Sequence, residues 1–538
     1  MTGTTITPYR STARDARDGF GQLLHAEWTK FRTVRGWVVG MIVAVLITAG
    51  IGIFVAAGGA SPSCQTVGAP ASSGAACGSG PALPLGPDGE PVTDNFYFVR
   101  QPLTGNGSIT VRVTSLTSLL PPAGQVFGAA PSRPGLVPWS KAGIIIKSNL
   151  SPGSAYAAMM ATGDNGVRMQ WNYTGDTQGL PGAVSAASPR WLRLTRDGDT
   201  ITGYDSTDGV SWTVVGVVRL AGLPSTVQAG LFTASPILAP KAVNVAGVSQ
   251  GGGGSTASAA VFDRLSRSGS WPARTWSGGY TVGDQAAEAQ GIGAYRQTDG
   301  RITVTGQGDI APAIPQGEPG LAEATIAVYL IGTFVGLIAV AVVATMFMTA
   351  EYRRGLIKTT LAASPRRGRV LAAKALVVGV VAFAAGLLGA VAAVIVGTGI
   401  AHSHGLLIFP EPWATEVRMI VGTGALVAVV AVLTLGVATM VRRSVAAVTI
   451  VFAVVVVPYF LSAVATLPVG VADWLMRVTP AAAFAVQQAT PRYPQVQAYY
   501  APVSGFYPLA PWAGFAVLCA WALAALGGAV YLLRRRDA

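Results

Sequence analysis

Residue types that do chemistry are scarce in this chain: three histidines and three cysteines in 538 residues. That leaves little for imidazole catalysis and rules out a zinc site built from four thiolates. His402 and His404 flank Ser403, with Glu411 and Glu416 nearby. No third metal ligand is fixed by spacing, so polar residues capping a helix are the simpler reading. Gly247-Val248-Ser249-Gln250-Gly251 has the form of a serine nucleophile elbow, but it runs into a glycine tract and residues 60–321 hold no histidine to act as base. The chain contains no G-x-x-x-x-G-K-[ST] phosphate loop. Gly355–Thr360 offers a Lys-Thr pair without the glycines that would cradle a phosphate. The sequence therefore predicts no enzyme activity, no bound metal and no cofactor of its own.

Two short segments combine acidic, basic and aromatic residues. His25-Ala26-Glu27-Trp28-Thr29-Lys30-Phe31-Arg32 suits a helix lying in a membrane interface. Glu351-Tyr352-Arg353-Arg354-Gly355 is followed by Ser364-Pro365-Arg366-Arg367. Charge-assisted hydrogen bonds, accepted by Glu351 and donated by Arg353, Arg354, Arg366 and Arg367, could dock another protein. Plain anchoring of helix ends by basic residues is the competing explanation.

The elements that position these segments follow from composition. Hydrophobic residues make up 51% and charged residues 11%, against about 25% charged in ordinary soluble domains. Six charge-free runs are long enough to cross a bilayer: Trp37–Ala57, Ala324–Thr349, Ala375–Ile400, Met419–Met440, Ser444–Leu467 and Trp512–Leu533. The first apolar run exceeds the 7–15 residues of a signal-peptide core, so it reads as an uncleaved anchor. Lys and Arg concentrate on one alternating set of flanks: the arm before Trp37, the 350–374 loop, the Arg442-Arg443 turn and the tail Arg534–Arg536. The short loops on the other side carry only Arg418, Arg477 and Arg492. The positive-inside rule then puts both termini in the cytoplasm and residues 59–321 outside the cell membrane. The net charge of +13 reports this topology. No basic stripe with interleaved aromatics suggests nucleic acid.

The outer segment divides by composition. Residues 59–94 form a Gly/Pro/Ser-rich stalk. It holds Cys64 and Cys77, which an oxidising exterior would join in a disulfide; two free thiols are the alternative. Residues 95–270 read as a β-sandwich or jelly roll, with short strands at 108–116, 142–147, 155–161, 167–173, 191–196, 200–204, 211–220, 228–233 and 260–265. Asp197-Gly198-Asp199 and Asp208-Gly209 supply the turns. Residues 271–321 are also β-rich, and the sequence leaves open whether they join the sandwich. Trp139, Trp171, Trp191 and Trp212 are read first as core aromatics and second as a sugar-binding platform. Residues 322–538 hold the remaining five spans, and residues 467–511 read as a Gly/Pro-rich external run. Cys519, in the last span, reads as a small packing residue.

With six spans, the Ala26-Glu27-Trp28-Thr29-Lys30 segment and the Glu351–Gly355 and Ser364–Arg367 motifs, the chain resembles an actinobacterial ABC-2-type transporter permease. The resemblance implies an interfacial elbow helix carrying Glu27, Trp28, Lys30 and Arg32. It also implies a cytoplasmic coupling loop that touches a separate ATPase subunit, where ATP and Mg would bind, and a second permease chain, identical or sister. Trp191–Leu194, Asp199–Tyr204, Ser206–Thr213 and Val261–Asp263 resemble the concanavalin-like sandwich of the DUF1349 type. The expected protein is an exporter subunit. The rival is a membrane-anchored extracellular glycan-binding or sensor protein, for which one span would suffice.

Overall fold

The computed structural model describes residues 19–59, 83–122, 131–238, 254–282, 292–314, 323–353, 366–404, 407–463, 467–489 and 491–535, apart from 498–499, 501 and 503–504. Cys64, Cys77, Arg354 and most of the glycine-rich insertion lie outside them.

Helix α1 (Phe20–Thr33) leads into α2 (Arg35–Gly59). After the β-domain, a 3-10 turn at Ile326–Gly332 opens α3 (Thr333–Arg353), followed by α4 (Arg367–Ser403) and α5 (Trp413–Val441). Then come α6 (Ser444–Val455), α7 (Val457–Ala463), α8 (Val469–Val478) and α9 (Pro511–Arg535). Six stretches among the described residues are long and apolar enough to span a membrane, the fifth being α6 and α7 together. That span is broken because Pro458 has no N–H to donate and its ring collides with the carbonyl four residues earlier. The Arg442-Arg443 turn is as tight as its sequence suggests. Arg442 takes φ +57° and its N–H bonds to the Ala438 carbonyl at 2.9 Å, ending α5 two residues before α6 begins.

Small residues bring the helices together. A Cβ on Gly386 of α4 would lie 2.8 Å from Val427 and 3.1 Å from the Gly424 Cα of α5. The run at 467–511 is more structured than its composition suggests. Besides α8 it contains a 3-10 helix, Pro480–Gln487, buried at every residue. The α9 backbone passes so close to it that a Cβ on Gly514 would sit 2.1 Å from the Ala482 carbonyl oxygen.

The inserted domain is a β-sandwich. Its first strands are β1 (Val92–Asn95), β2 (Tyr97–Leu120), β3 (Arg133–Gly135), β4 (Lys141–Lys147), β5 (Tyr156–Thr162), β6 (Val167–Trp171), β7 (Gly175–Gln178) and β8 (Arg190–Asp197). They continue with β9 (Thr200–Ser206), β10 (Thr213–Arg219), β11 (Thr226–Ala234), β12 (Ala257–Ser270), β13 (Ser277–Tyr280), β14 (Ala294–Thr298), β15 (Arg301–Gly306) and β16 (Asp309–Pro312). Strand β2 belongs to both layers. Its first half pairs with β11 and β13, and its second half with β8 and β12. The corner falls at Gly105, whose φ of +67° suits glycine. Because β15 pairs with β12 and β14 with β15, residues 294–306 extend the same sheet. Strand β8 alternates buried and half-buried residues, as expected of a sheet with one wet face. Strands β4 and β5 are buried at every position, because β1, β16 and Phe96 cover their second face.

Two lysines in β4 pin that cover. Lys147 Nζ reaches Asp94 at 2.7 Å and Lys141 Nζ reaches Asp309 at 2.6 Å, and both ammonium groups are inaccessible. The Tyr173 hydroxyl donates to Asp94 at 2.8 Å. Gln495, from the loop before α9, donates to the Thr174 carbonyl at 3.1 Å. Val496 and Phe506 pack with Ala311 and Ile314. The sandwich therefore rests on the helical half through Gln495, Val496 and Phe506.

Candidate functional site

Helix α1 is amphipathic, and its buried residues are Glu27 and Phe31. A carboxylate on the apolar stripe of a helix demands a cation, since an unpaired buried charge is strongly disfavoured. Two answer it. Lys374 Nζ, on α4, donates to Glu27 Oε2 at 2.7 Å and to Glu351 Oε1, on α3, at 2.7 Å. Lys30 Nζ donates to Glu27 Oε1 at 2.7 Å and to Glu351 Oε1 at 3.1 Å. Lys374 is fully buried, Glu27 is 1% exposed and Glu351 6%. Two carboxylates and two ammonium groups thus form a neutral quartet joining three helices.

An aromatic shelf lies against it. Lys374 Nζ stands 4.7 Å from the Phe347 ring centre. Phe347 packs edge-on against Phe31 at 5.5 Å and Trp37 at 5.1 Å, adding α2 to the assembly. Burial works against the Lys30 charge, but the hydrogen bonds and fields of Glu27 and Glu351 outweigh it and hold its pKa above the ordinary lysine value. Glu351 Oε2 has no hydrogen-bond partner among the described residues.

The quartet lies at the end of the bundle away from the sandwich, where α3 finishes and α4 begins. It places the candidates named by sequence as follows. Glu351 and Glu27 face inward, and Lys30 bridges them. Trp28 is 42% exposed and Arg32 is exposed. Arg366 is exposed one residue before α4. The Arg367 guanidinium bonds to the Leu533 carbonyl in the last turn of α9, satisfying a helix-end acceptor. Lys374 is the hub, yet in the sequence it is one more basic residue beside a span. Its partner Glu27 lies 347 residues away, a pairing no local pattern reveals.

The four tryptophans have partners within the domain. Arg193 stacks on Trp212 at 3.8 Å, Arg112 lies over Trp191 at 5.7 Å and Arg168 over Trp139 at 5.7 Å. Trp171 packs against the sandwich core. Trp191 pairs across strands with Arg112, which is held by Asp263 at 2.6 Å, so this ring lies on the outer face of its sheet. The turn carboxylate Asp208 accepts hydrogen bonds from the N–H groups of Val210 and Ser211 and from the Ser206 hydroxyl, which pull its pKa to about 2. His404 closes α4, its N–H bonding to the Ile400 and Ala401 carbonyls.

Residues 200–538 match the sequence profile of the ABC-2 family transporter proteins. The chain belongs to that family. The six membrane-capable stretches among the described residues and the β-sandwich are thus the framework of an ABC-2 transporter permease. No curated protein matches the chain. Among solved structures it is similar to a functionally unknown protein from Saccharomyces cerevisiae, at 14% identity and a TM-score of 0.20 over 32% of this chain and 75% of that one. It is also similar to scytalido-glutamic peptidase with a transition state analog inhibitor, at 7% identity and a TM-score of 0.25 over 40% and 98%. A third is sheep galectin-11 in complex with glycerol, at 10% identity and a TM-score of 0.15 over 25% and 90%. Likenesses this remote say nothing of what the ABC-2 chain carries or binds.

Proposed function

We propose that this permease is the membrane subunit of an exporter, paired with a second copy or a sister chain and energised by a separate cytoplasmic ATPase. Both termini then lie in the cytoplasm and the sandwich outside the cell membrane, a topology supported by the distribution of Lys and Arg. The observation that carries this reading is the buried quartet. It ties α1 to the end of α3 and the start of α4, on either side of the α3–α4 connection, so force applied there moves three helices as one body. That connection is shorter than the 350–374 loop expected from sequence, because α3 runs to Arg353 and α4 starts at Arg367. Exposed Arg366 offers a docking contact at the end of that loop, while Glu27, Glu351 and Lys374 transmit force through position. Reaction energy enters from the partner, since this chain has no phosphate loop. A surface binding module on a membrane anchor would give the quartet no work to do, and in its candidate sugar platform three rings carry an arginine while Trp171 packs against the core.

The test is site-specific cross-linking in native membranes. In a cysteine-free background, Ser364→Cys is expected to form an adduct with an ATP-binding polypeptide and to react with thiol reagents only from the cytoplasmic side. A cysteine at Gly198 is expected to react only from outside. An intact chain with the reverse labelling, or with no ATP-binding adduct at position 364, would defeat the proposal.

A further inference from the structure

Helix α1 meets α4 along two faces. One carries the quartet. The other leaves an apolar groove of about 420 Å³ between Leu24, His25 and Trp28 of α1 and Leu376, Val377 and Val380 of α4. Its walls are open to the surroundings, with Trp28 42%, Leu376 46% and Val380 56% exposed. An apolar groove beside an interfacial helix faces the boundary between acyl chains and headgroups.

The charges at its rim have one sign. Arg369 lies on the same exposed stripe of α4 as Ala372 and Leu376, two turns nearer the helix start. Arg32 follows Trp28 by one turn on α1 and is exposed. Neither arginine has an acidic partner among the described residues. The acidic residue of α1 is Glu27, turned into the quartet, and α4 contains none. An apolar slot with two free guanidinium groups at its polar edge complements a molecule with a long hydrocarbon chain and an anionic head.

We infer that the α1–α4 groove is a binding site for an anionic phospholipid, one acyl chain lying against Trp28, Leu376 and Val380 and the phosphate held by Arg32 and Arg369. Such a lipid would hold the first half of α1 against α4, as Lys374 holds its middle. The inference needs only that α4 spans a membrane and α1 lies at its surface, so it stands or falls apart from the ATPase reading.

The test uses the full chain in phosphatidylcholine nanodiscs doped with a minor fraction of lipid brominated on its acyl chains, which quenches tryptophan on contact. The Trp28 signal is taken as the difference between wild type and Trp28→Phe. Brominated phosphatidylglycerol is expected to quench Trp28 at a mole fraction many-fold lower than brominated phosphatidylcholine. Arg369→Gln and Arg32→Gln should each narrow that gap by about fivefold, and Arg535→Gln in the last helix should leave it unchanged. Val380→Phe, which fills the slot, should remove quenching at low mole fraction. Should Trp28→Phe fail to fold, native mass spectrometry of the wild type and Arg369→Gln replaces it, with retained phosphatidylglycerol expected on the wild type and lost from the variant. Equal quenching by the two lipids, adducts indifferent to headgroup, or no effect of Arg369→Gln in a folded protein would overturn the site.

Discussion

Lys374 and Lys30 touch the same two carboxylates, but their surroundings make them unequal. Lys374 is fully buried, and its removal would leave Glu27 and Glu351 sharing one half-exposed ammonium group. Breaking a buried pair by deleting one partner costs about 3–5 kcal/mol. The Lys30 side chain is 41% exposed, and truncating a pair with that much water is worth about 0–1 kcal/mol. Thermal unfolding of the detergent-solubilised chain should therefore show a large loss for Lys374→Ala and a small one for Lys30→Ala. Equal losses would mean the quartet is organised differently. A second residue answers to pH. Burial pushes Glu411 up to about 7, against the pull of Arg418 and with a further push from Glu416. It lines a cavity of about 590 Å³ beneath the sandwich, with Asp88, Glu90 and Tyr493. Between the ordinary glutamate range and pH 7 the folded chain holds a proton that the unfolded chain has released, so stability falls as pH rises through that window. Glu411→Gln should flatten the dependence of the unfolding midpoint between pH 5 and 8. An unchanged slope would refute the assignment.

At the scale of elements, the close contact of α4 with α5 depends on Gly386. Gly386→Leu must push against Val427 and the Gly424 backbone, and overpacking of this kind costs about 1–3 kcal/mol. Gly399, with nothing within 4 Å of a built Cβ, should accept alanine without loss. Melting curves of the two variants separate these outcomes, and equal behaviour would mean the helices do not meet at Gly386. The spans were legible because a run of about 20 uncharged apolar residues has few other uses. Most strands were legible from alternation and from the Asp-Gly turns. What escaped has a physical reason in each case. Pro480–Gln487 is an alanine-rich 3-10 turn with no polar face, so no period marks it as an element. The full length of β2 was hidden because Gly105 and Gly107 interrupt its pattern at the corner between the sheets. The quartet escaped because Glu27, Glu351 and Lys374 meet only when α1 docks on α3 and α4, and charge near a span is equally well explained by anchoring.

The whole molecule is a permease carrying a sandwich that rests on the segment before its last helix. Gln495, Val496 and Phe506 make that contact, while Lys147, Asp94 and Tyr173 stiffen the sandwich just behind it. Phe506→Ala with Gln495→Ala should leave both halves folded and increase hydrogen exchange around Tyr173 and Ala311; unchanged exchange would mean the halves are held together elsewhere. At the other end the quartet gathers α1, α3 and α4, and the account of function depends on what pushes there. The most direct measurement captures the full chain from its own membrane by a C-terminal tag and assays the complex for ATP hydrolysis. The expected result is vanadate-sensitive hydrolysis by a co-purified subunit, lost when residues 354–365 are replaced by a Gly-Ser segment of equal length while the yield and unfolding midpoint of the chain stay the same. An intact chain that brings down no ATP-hydrolysing partner, or hydrolysis indifferent to the replaced loop, would contradict the account.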